Sequence, residues 1–536
     1  MPFTQAQGGG KKGASTCDHL FILRAIIDIS IAQKRETYIT FYDVSKAYDN
    51  ADNNDMLSIM WDKGLKGKAW RILQNLSRNL KAVVKTRFGQ TRQIDMEIGG
   101  KQGSRLTGRL FAKLMDVLSE ELISTNEGFK ITNEFLVAVL LWVDDVVSCV
   151  EGPENQEKML KRIHEFAVKH KLKWGSSKCK IMKVGRHKKG EDKWSLGDQV
   201  IQESSVYKYL GDEISNDGKN KKNINARKNK LTATTVTINT IATNEILNKI
   251  ETSILLELHE QISIPGFLTN SESWNLNKGE KDELEKIEVE ALKDLFDLPI
   301  HTPTPAIIYT FGTLFTRIRI DQKQLIYLHK VLNQDKTHWT RKTLETLENL
   351  NLGWAKSIKE TLTEYKLPTS YETIRTTPSI AWKNQVKTQI EIKNTERLKN
   401  ECYKNVNGDL QPKTKTKTII NHIAEHHYKR APKTEIIKCS KQDTKTLIMA
   451  RYGMLECGYN YKGTLKVTCD LCNLEDNENH RLNHCIKYRD INLYDHLEKV
   501  PFETIYSGEL TILRKVLPTI QLVWNTKSAN GTMNLK

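Results

Sequence analysis

Long hydrophobic runs are missing from this sequence of 536 residues. The longest, Phe135 to Val143, has the length of a strand, and nothing approaches the ~18 apolar residues that a membrane-crossing helix needs. Cysteine is scarce, nine in all and odd in number. A secretory signal pattern is also lacking, because the first 16 residues are polar and Gly-rich. Together these argue against a disulfide-stapled secreted domain and for a reducing, intracellular compartment, nucleus and cytoplasm being left undistinguished. No fixed-period repeat is present, which excludes a solenoid or propeller. Acidic residues are in deficit, 65 against 82 Lys and Arg, for a formal net charge of +17. Such a surplus suits a polyanionic partner such as nucleic acid, the alternative being a basic but solvated surface. With 38% hydrophobic and 27% charged residues the chain is not wholly disordered, and its length predicts three or four domains at ~150 residues each.

What is present reads first as alternating helices and strands. Phe21, Ile22, Ala25, Ile26 and Ile29 fall on one helical face after a Gly-rich basic loop, with Asp18 as a first-turn acid. Tyr38 to Val44 reads as a strand, followed by helices over 54–63 and 68–79 and a hairpin about Gly89. A long amphipathic helix is expected over 106–124, two apolar strands between Phe135 and Val150, and a helix over 156–171. From about residue 216 the texture changes. Residues 219–230 carry six basic side chains and no acid, suited to phosphate contacts, and helices with Leu/Ile periodicity follow at 250–261 and 281–296. Residues 331–450 are rich in Lys, Thr and Asn and read as helical with loose connections, with a Lys-Thr alternation at 411–417 as a linker.

Two acidic features stand out. Phe41-Tyr42-Asp43-Val44-Ser45-Lys46-Ala47-Tyr48-Asp49 ends a strand on a carboxylate. Trp142-Val143-Asp144-Asp145, whose first aspartate lies 101 residues after Asp43, interrupts an apolar run with two. Charges embedded in apolar strands are costly unless compensated. A turn could lift Asp144 and Asp145 to a sheet edge, and if Asp43 ends the neighbouring strand the three converge. Three carboxylates repel one another; with two Mg²⁺ they become a clamp for in-line phosphoryl transfer. An ordinary exposed Asp-Asp turn is the alternative for residues 144–145 taken alone. Further on, Cys469, Cys472, His480 and Cys485 are separated by two, seven and four residues, a spacing that can complete a Zn²⁺ tetrahedron and stabilise a segment too short for a core. His484 is an alternative ligand.

With these motifs the sequence resembles the reverse transcriptases of non-LTR (LINE-type) retrotransposons. Their first motif, F-x-D-x-x-K-A-[FY]-D, is matched at every fixed position by residues 41–49, and their third, [FY]-x-D-D, is answered by Trp142–Asp145. Gly9 to Asp18 resembles a fingers segment, Gly100-Lys101-Gln102-Gly103 with Leu110-Phe111 the second motif, Ser177 to Met182 the fourth, Tyr209-Leu210-Gly211 the fifth, and Ser271-Glu272-Ser273-Trp274 the segment beyond the palm. The family's C-terminal Cys-Cys-His-Cys knuckle has the same spacing as the cluster at 469–485.

The resemblance implies an α+β, right-hand polymerase: partial fingers and palm over 1–215, a thumb-like helical region over 216–330, a basic helical linker over 331–460, a zinc knuckle over 461–492 and a tail over 493–536. It implies RNA-directed DNA synthesis, with an RNA template, a DNA primer or target, deoxynucleoside triphosphates and Mg²⁺, plus structural Zn²⁺, and no membrane. Asp43, Asp144 and Asp145 would hold the metals and Lys178 would lie near the leaving phosphates. Tyr48 would exclude a 2′-hydroxyl, Gln102 and Gly103 would line the template and nucleotide cleft, and Tyr209, Leu210 and Gly211 would grip the primer. There are departures. Two prolines of the second motif are absent from Ser104 to Arg109, and Trp142 replaces a smaller aromatic. The family's upstream fingers and an endonuclease are not recognised, so an N-terminally truncated copy is expected. The alternative function is a catalytically inactive, nucleic-acid-binding remnant; an RNA-dependent RNA polymerase is disfavoured by Tyr48, and a mobile-intron maturase by the knuckle and the Ser271–Trp274 segment.

Overall fold

The computed structural model describes residues 2–77, 80–96, 99, 104–175, 177–187, 193–242, 250–406, 409–412, 440–451, 468–469, 472–475 and 480. The chain folds as α+β, a central sheet with many helices.

Helix α1 (Thr16–Ala32) starts on a reciprocal cap, in which the Ser15 side chain and the Asp18 carboxylate each accept a backbone N–H of the other's end. Its apolar residues are buried on more than one side. Strand β1 (Glu36–Asp43) follows, with six consecutive buried residues, so both faces of this strand are covered. After it come α2 (Ala47–Asn50), α3 (Asn53–Asp62) and α4 (Gly67–Ser77), then a long exposed hairpin built from β2 (Leu80–Ala82), β3 (Lys85–Thr86), β4 (Gly89–Gln90) and β5 (Ile94–Met96). Helix α5 (Arg105–Ser124) leads to β6 (Phe129–Thr132), β7 (Phe135–Val137), β8 (Val139–Trp142) and β9 (Asp145–Glu151). Helix α6 (Pro153–Lys169) and strands β10 (Lys180–Gly185), β11 (Trp194–Leu196) and β12 (Gln199–Glu203) complete the elements around the central sheet.

The six-stranded sheet has the order β11-β12-β10-β1-β9-β8, with β1 between two antiparallel neighbours and β10–β12 the one parallel pair. Helix α5 packs on β8, α6 on β9 and α1 on β10. A separate hairpin, β13 (Val206–Tyr209) and β14 (Asp212–Ser215), packs near β10. Strands β11 and β12 were not among the sequence expectations; both are short, and β12 is mostly exposed.

The remaining described residues are mostly helical. Helix α7 (Lys221–Ala242) packs against α9 (Ile264–Phe267) and α10 (Lys278–Leu295). Helix α8 (Thr252–Leu258) runs through a π-turn (His259–Ser263) into α9. Helices α11 (Thr304–Phe311), α12 (Thr316–Leu332), α13 (Trp339–Asn349), α14 (Gly353–Glu364), α15 (Tyr371–Thr376) and α16 (Ser379–Cys402) follow, with a short strand pair over 403–412 and a further helix, α17 (Lys441–Arg451). Over 339–402, where loose connections were expected, the helices are packed: α13 and α14 lie against α1, and α16 lies along α12. Trp382, Val386 and Ile390 are buried at four-residue spacing, so an apolar minority suffices for one buried stripe. Of the six basic residues at 219–230, Arg227 is buried and paired with Asp212, which removes it from any phosphate surface.

Candidate active site

Strand β1 delivers Asp43 to the end of the sheet, and the β8–β9 turn delivers the other two carboxylates. In the antiparallel register Asp43 lies directly opposite Asp145, and Asp145 directly opposite Trp142. Opposed residues on neighbouring strands point to one face, with Cβ atoms roughly 5 Å apart. Asp144 sits in the two-residue turn itself, beside Val143, whose φ of 60° is a left-handed conformation unfavourable to a β-branched residue. Strain of this kind persists only where surrounding contacts over-determine it.

Those contacts come from a short N-terminal segment. Residues Ala6 and Gly8 exchange backbone hydrogen bonds with Leu141, in a parallel bridge centred on Gln7. The fully buried Gln7 side chain accepts from the backbone N–H of Val143 at 3.2 Å and of Gly9 at 2.8 Å, and donates to the Ala112 carbonyl at 3.3 Å. Gly8 is required by contact: a Cβ there would lie 2.7 Å from the Trp142 ring. Trp142 in turn meets the buried His19 edge-on at 5.6 Å.

Mutual repulsion and burial mark the carboxylates. Burial first, then Asp144 and Asp43, push the Asp145 carboxyl up to about 6, and burial raises Asp144 as well. The neighbouring cation is Lys178, whose ammonium lies 3.2 Å from Asp43 while the side chain stays 69% exposed. Lys178 is carried by the turn that starts at Gly175, whose N–H donates to the Asp43 carbonyl. A Cβ at Gly175 would lie 2.8 Å from an Asp43 carboxylate oxygen, so any larger residue displaces that carboxylate. A cleft of about 430 Å³ opens here, lined by Asp43 to Asp49, Asp144, Gly175, Ser177 and Lys178. Tyr48 borders it, half-buried, its ring 5.6 Å from Phe111. Gln102 and Gly103 lie outside the described residues.

The Tyr209-Leu210-Gly211 segment forms the turn of the β13–β14 hairpin, with φ of 46° at Leu210 and 90° at Gly211. The hairpin lies against strand β1: Tyr207 stacks on Phe41 at 4.1 Å, and the buried Tyr209 meets it at 5.8 Å. One residue holds this turn in place, the wholly buried Asp212. Its carboxylate accepts from Arg24 of α1 at 2.9 Å, Trp274 Nε1 at 2.7 Å, Asn270 at 3.1 Å and Arg227 of α7. Asn270 and Arg227 also cap the Leu210 and Gly211 carbonyls at 3.0 and 2.9 Å. Gln7, Gly175 and Asp212 were missed in the sequence; a lone Gln or Gly carries no signal, and Asp212 shows only as an acid directly after a tight turn.

At the other end of the chain the ligand atoms of Cys469, Cys472 and His480 lie within 4.8 Å of one another. The Cys469 carbonyl accepts from Asn473, which has φ of 55°, in a tight turn that brings the two thiols together. Cys485 and His484 lie outside the described residues. Cys17, Cys149, Cys179 and Cys402 are buried, and none is in a disulfide among the described residues. Among the described residues no helix is long and apolar enough to cross a membrane.

Residues 1–214 match the family model of the reverse transcriptase (RNA-dependent DNA polymerase). No curated protein is matched. Among solved structures the chain is similar to telomerase from Candida albicans in complex with a TWJ fragment of telomeric RNA, at 12% identity and a TM-score of 0.33, over 69% of this chain and 53% of that one. It is also similar to apo telomerase from Candida tropicalis, at 12% identity and a TM-score of 0.32, over 72% and 56% respectively. The chain thus spans about half the length of these structures, 53% and 56%.

Proposed function

We propose that this chain, whose residues 1–214 carry a reverse transcriptase domain, extends a DNA primer on an RNA template and derives from a non-LTR (LINE-type) retrotransposon. The observation that carries the reading is the direct cross-strand pairing of Asp43 with Asp145, with Asp144 one residue away on the turn.

The donor set fits divalent cations. Asp43 faces Asp145 across the strands with Asp144 on the adjoining turn, two of the three have raised affinity for a proton, and the exposed Lys178 offsets their charge. Asp43, Asp144 and Asp145 would hold two Mg²⁺, which supply an activated primer 3′-oxygen and charge stabilisation on the triphosphate. In the reaction that oxygen bonds to the α-phosphorus of a deoxynucleotide and the bond to pyrophosphate breaks. Lys178, exposed and on a turn at the cleft, would meet the leaving phosphates. Tyr48 would lie beneath the incoming sugar and exclude a 2′-hydroxyl by its bulk. Gln102 and Gly103 would line the template side. The Tyr209–Gly211 turn would carry the primer strand, and the exposed Lys221, Lys222 and Lys228 of α7 would contact duplex phosphates. Cys469, Cys472 and His480, with Cys485, would hold a structural Zn²⁺ in a knuckle that binds nucleic acid.

Primer extension on an RNA template with Mg²⁺ and deoxynucleotides tests the reading. Product is expected, and Asp144→Asn should abolish it. Absent extension with salt-sensitive RNA binding retained would instead assign the chain as a non-catalytic remnant.

A further inference from the structure

Residues 63–94 carry nine Lys and Arg and neither Asp nor Glu. They form α4 and the hairpin β2–β5, and the hairpin is exposed along almost its whole length. No carboxylate among the described residues pairs with Lys68, Arg71, Lys85, Arg87 or Arg92. The tip is the two-residue turn Arg87-Phe88 between Thr86 and Gly89, which pair across the strands. Phe88 is 85% exposed, and the Arg87 guanidinium lies over its ring at 4.7 Å. Trp61, which meets Trp70 of α4 edge-on at 5.0 Å, is also exposed, with the Lys66 ammonium 3.6 Å from its ring.

A surface serving solubility alone would mix signs of charge and keep aromatics inward. Over residues 80–96 this one carries four Lys and Arg against the single acid Asp95, and it turns Phe88 outward. Uncompensated cations repel one another until a polyanion arrives, and an exposed phenylalanine forfeits the burial that stabilises a fold. Cations interleaved with a bare aromatic face suit a strand whose bases are free to stack; a duplex offers phosphates but no open base face except at its ends. The arm is also anchored at the cleft. Three residues after β5, the Gly99 N–H donates to the Ala51 carbonyl at 2.9 Å, and its carbonyl accepts from Asn53 at 2.9 Å. A Cβ on Gly99 would lie 2.7 Å from the carbonyl of Asp49, which lines the cleft.

We propose that the hairpin arm at residues 80–96, with α4, is a docking surface for single-stranded nucleic acid, the unpaired template running toward the cleft, with Phe88 as a base-stacking platform. This rests on the polymerase reading for the identity of the strand, but its test needs no turnover. The full chain is titrated, by fluorescence anisotropy across a salt series, into a labelled primer–template with a single-stranded 5′ RNA overhang and into the blunt duplex of the same sequence. Lys85→Ala/Arg87→Ala/Arg92→Ala should lower the slope of log affinity against log salt on the overhung substrate by about 2, at about 0.7 per phosphate contact. Phe88→Ala should weaken overhang binding roughly five- to a hundred-fold, and Phe88→Trp should keep it. All three variants should bind the blunt duplex as the parent does and, being exposed at every changed position, keep its melting temperature. Unchanged affinity for the overhang, or an equal loss on both substrates, would overturn the proposal. Failure of primer extension with these binding differences intact would strike the polymerase reading and leave the docking surface standing.

Discussion

Asp145 shows what the site does at the scale of one residue. Its carboxyl is pushed up to about 6 in the folded chain, above its ordinary value of 3.8. The folded state therefore holds this proton more tightly than the unfolded one. Its contribution to stability is fully present below the ordinary value and is lost as pH rises through about 6. Asp145→Asn should accordingly melt higher than the parent at about pH 8 and lose that advantage toward about pH 4. Added Mg²⁺ should raise the parent's melting temperature at the upper pH and leave the variant's nearly unchanged; thermal melts over a pH series, with and without Mg²⁺, read both. Gln7 belongs to the same scale. Gln7→Leu keeps the size but leaves the Val143 N–H without its partner, and a buried donor left unmade costs about 1–3 kcal/mol. The rate of extension should fall at least about tenfold, by relaxation of the Asp144 turn, with a smaller change in the nucleotide KM. A change in KM alone would assign Gln7 a different role. The juxtaposition of Asp43 with Asp145 was legible in the sequence because an acid ends one apolar strand and an Asp-Asp pair interrupts a short apolar hairpin. Gln7 and Gly175 were not, because each acts through a contact with a residue more than a hundred positions away, and no local pattern records such a contact.

At the scale of elements, the β13–β14 hairpin depends on a single buried charge. Asp212 balances Arg24 and Arg227, both largely buried, and fixes Trp274. Asp212→Asn would keep the shape but remove the one carboxylate that the two guanidinium groups share. Breaking a buried pair in this way costs about 3–5 kcal/mol. Urea denaturation should show a loss of that order, and a loss under about 1 kcal/mol would show that solvent reaches the pair. The hairpin itself follows from Gly211 at a positive φ between two short alternating strands. Most helices and strands of the palm were likewise legible from apolar spacing, to within a few residues at their ends. Strands β6, β10, β11 and β12 were not read as strands, and β12, short and mostly exposed, has no apolar signature to read.

The whole molecule joins what the sequence texture separates. The break in composition near residue 216 suggests a boundary, yet one continuous core runs from Ala6 to Cys402 and beyond. Asp18 on α1 accepts from Tyr327 at 3.0 Å and from Lys330 at 3.0 Å, both on α12. Trp354 of α14 meets Phe21 of α1 at 5.3 Å. Palm and helical layer should therefore unfold together. Native-state hydrogen exchange should give α13, α14 and α16 protection comparable to that of β1 and β9, and early exchange of these helices alone would show an independent unit. That layer was hard to read because its buried residues are few and embedded in Lys-, Thr- and Asn-rich sequence, so that only the packed partner reveals which face they share.

The account's central claim is that Asp43, Asp144 and Asp145 hold divalent cations jointly. Titration of the full chain with Mn²⁺, followed by electron paramagnetic resonance with the Cys/His cluster already saturated with Zn²⁺, measures this without requiring catalysis. Saturable binding in the parent, competed by Mg²⁺ and lost or weakened at least about tenfold in Asp43→Asn and in Asp145→Asn alike, is the predicted result. Binding that survives in Asp43→Asn, or that the parent lacks altogether, would contradict it.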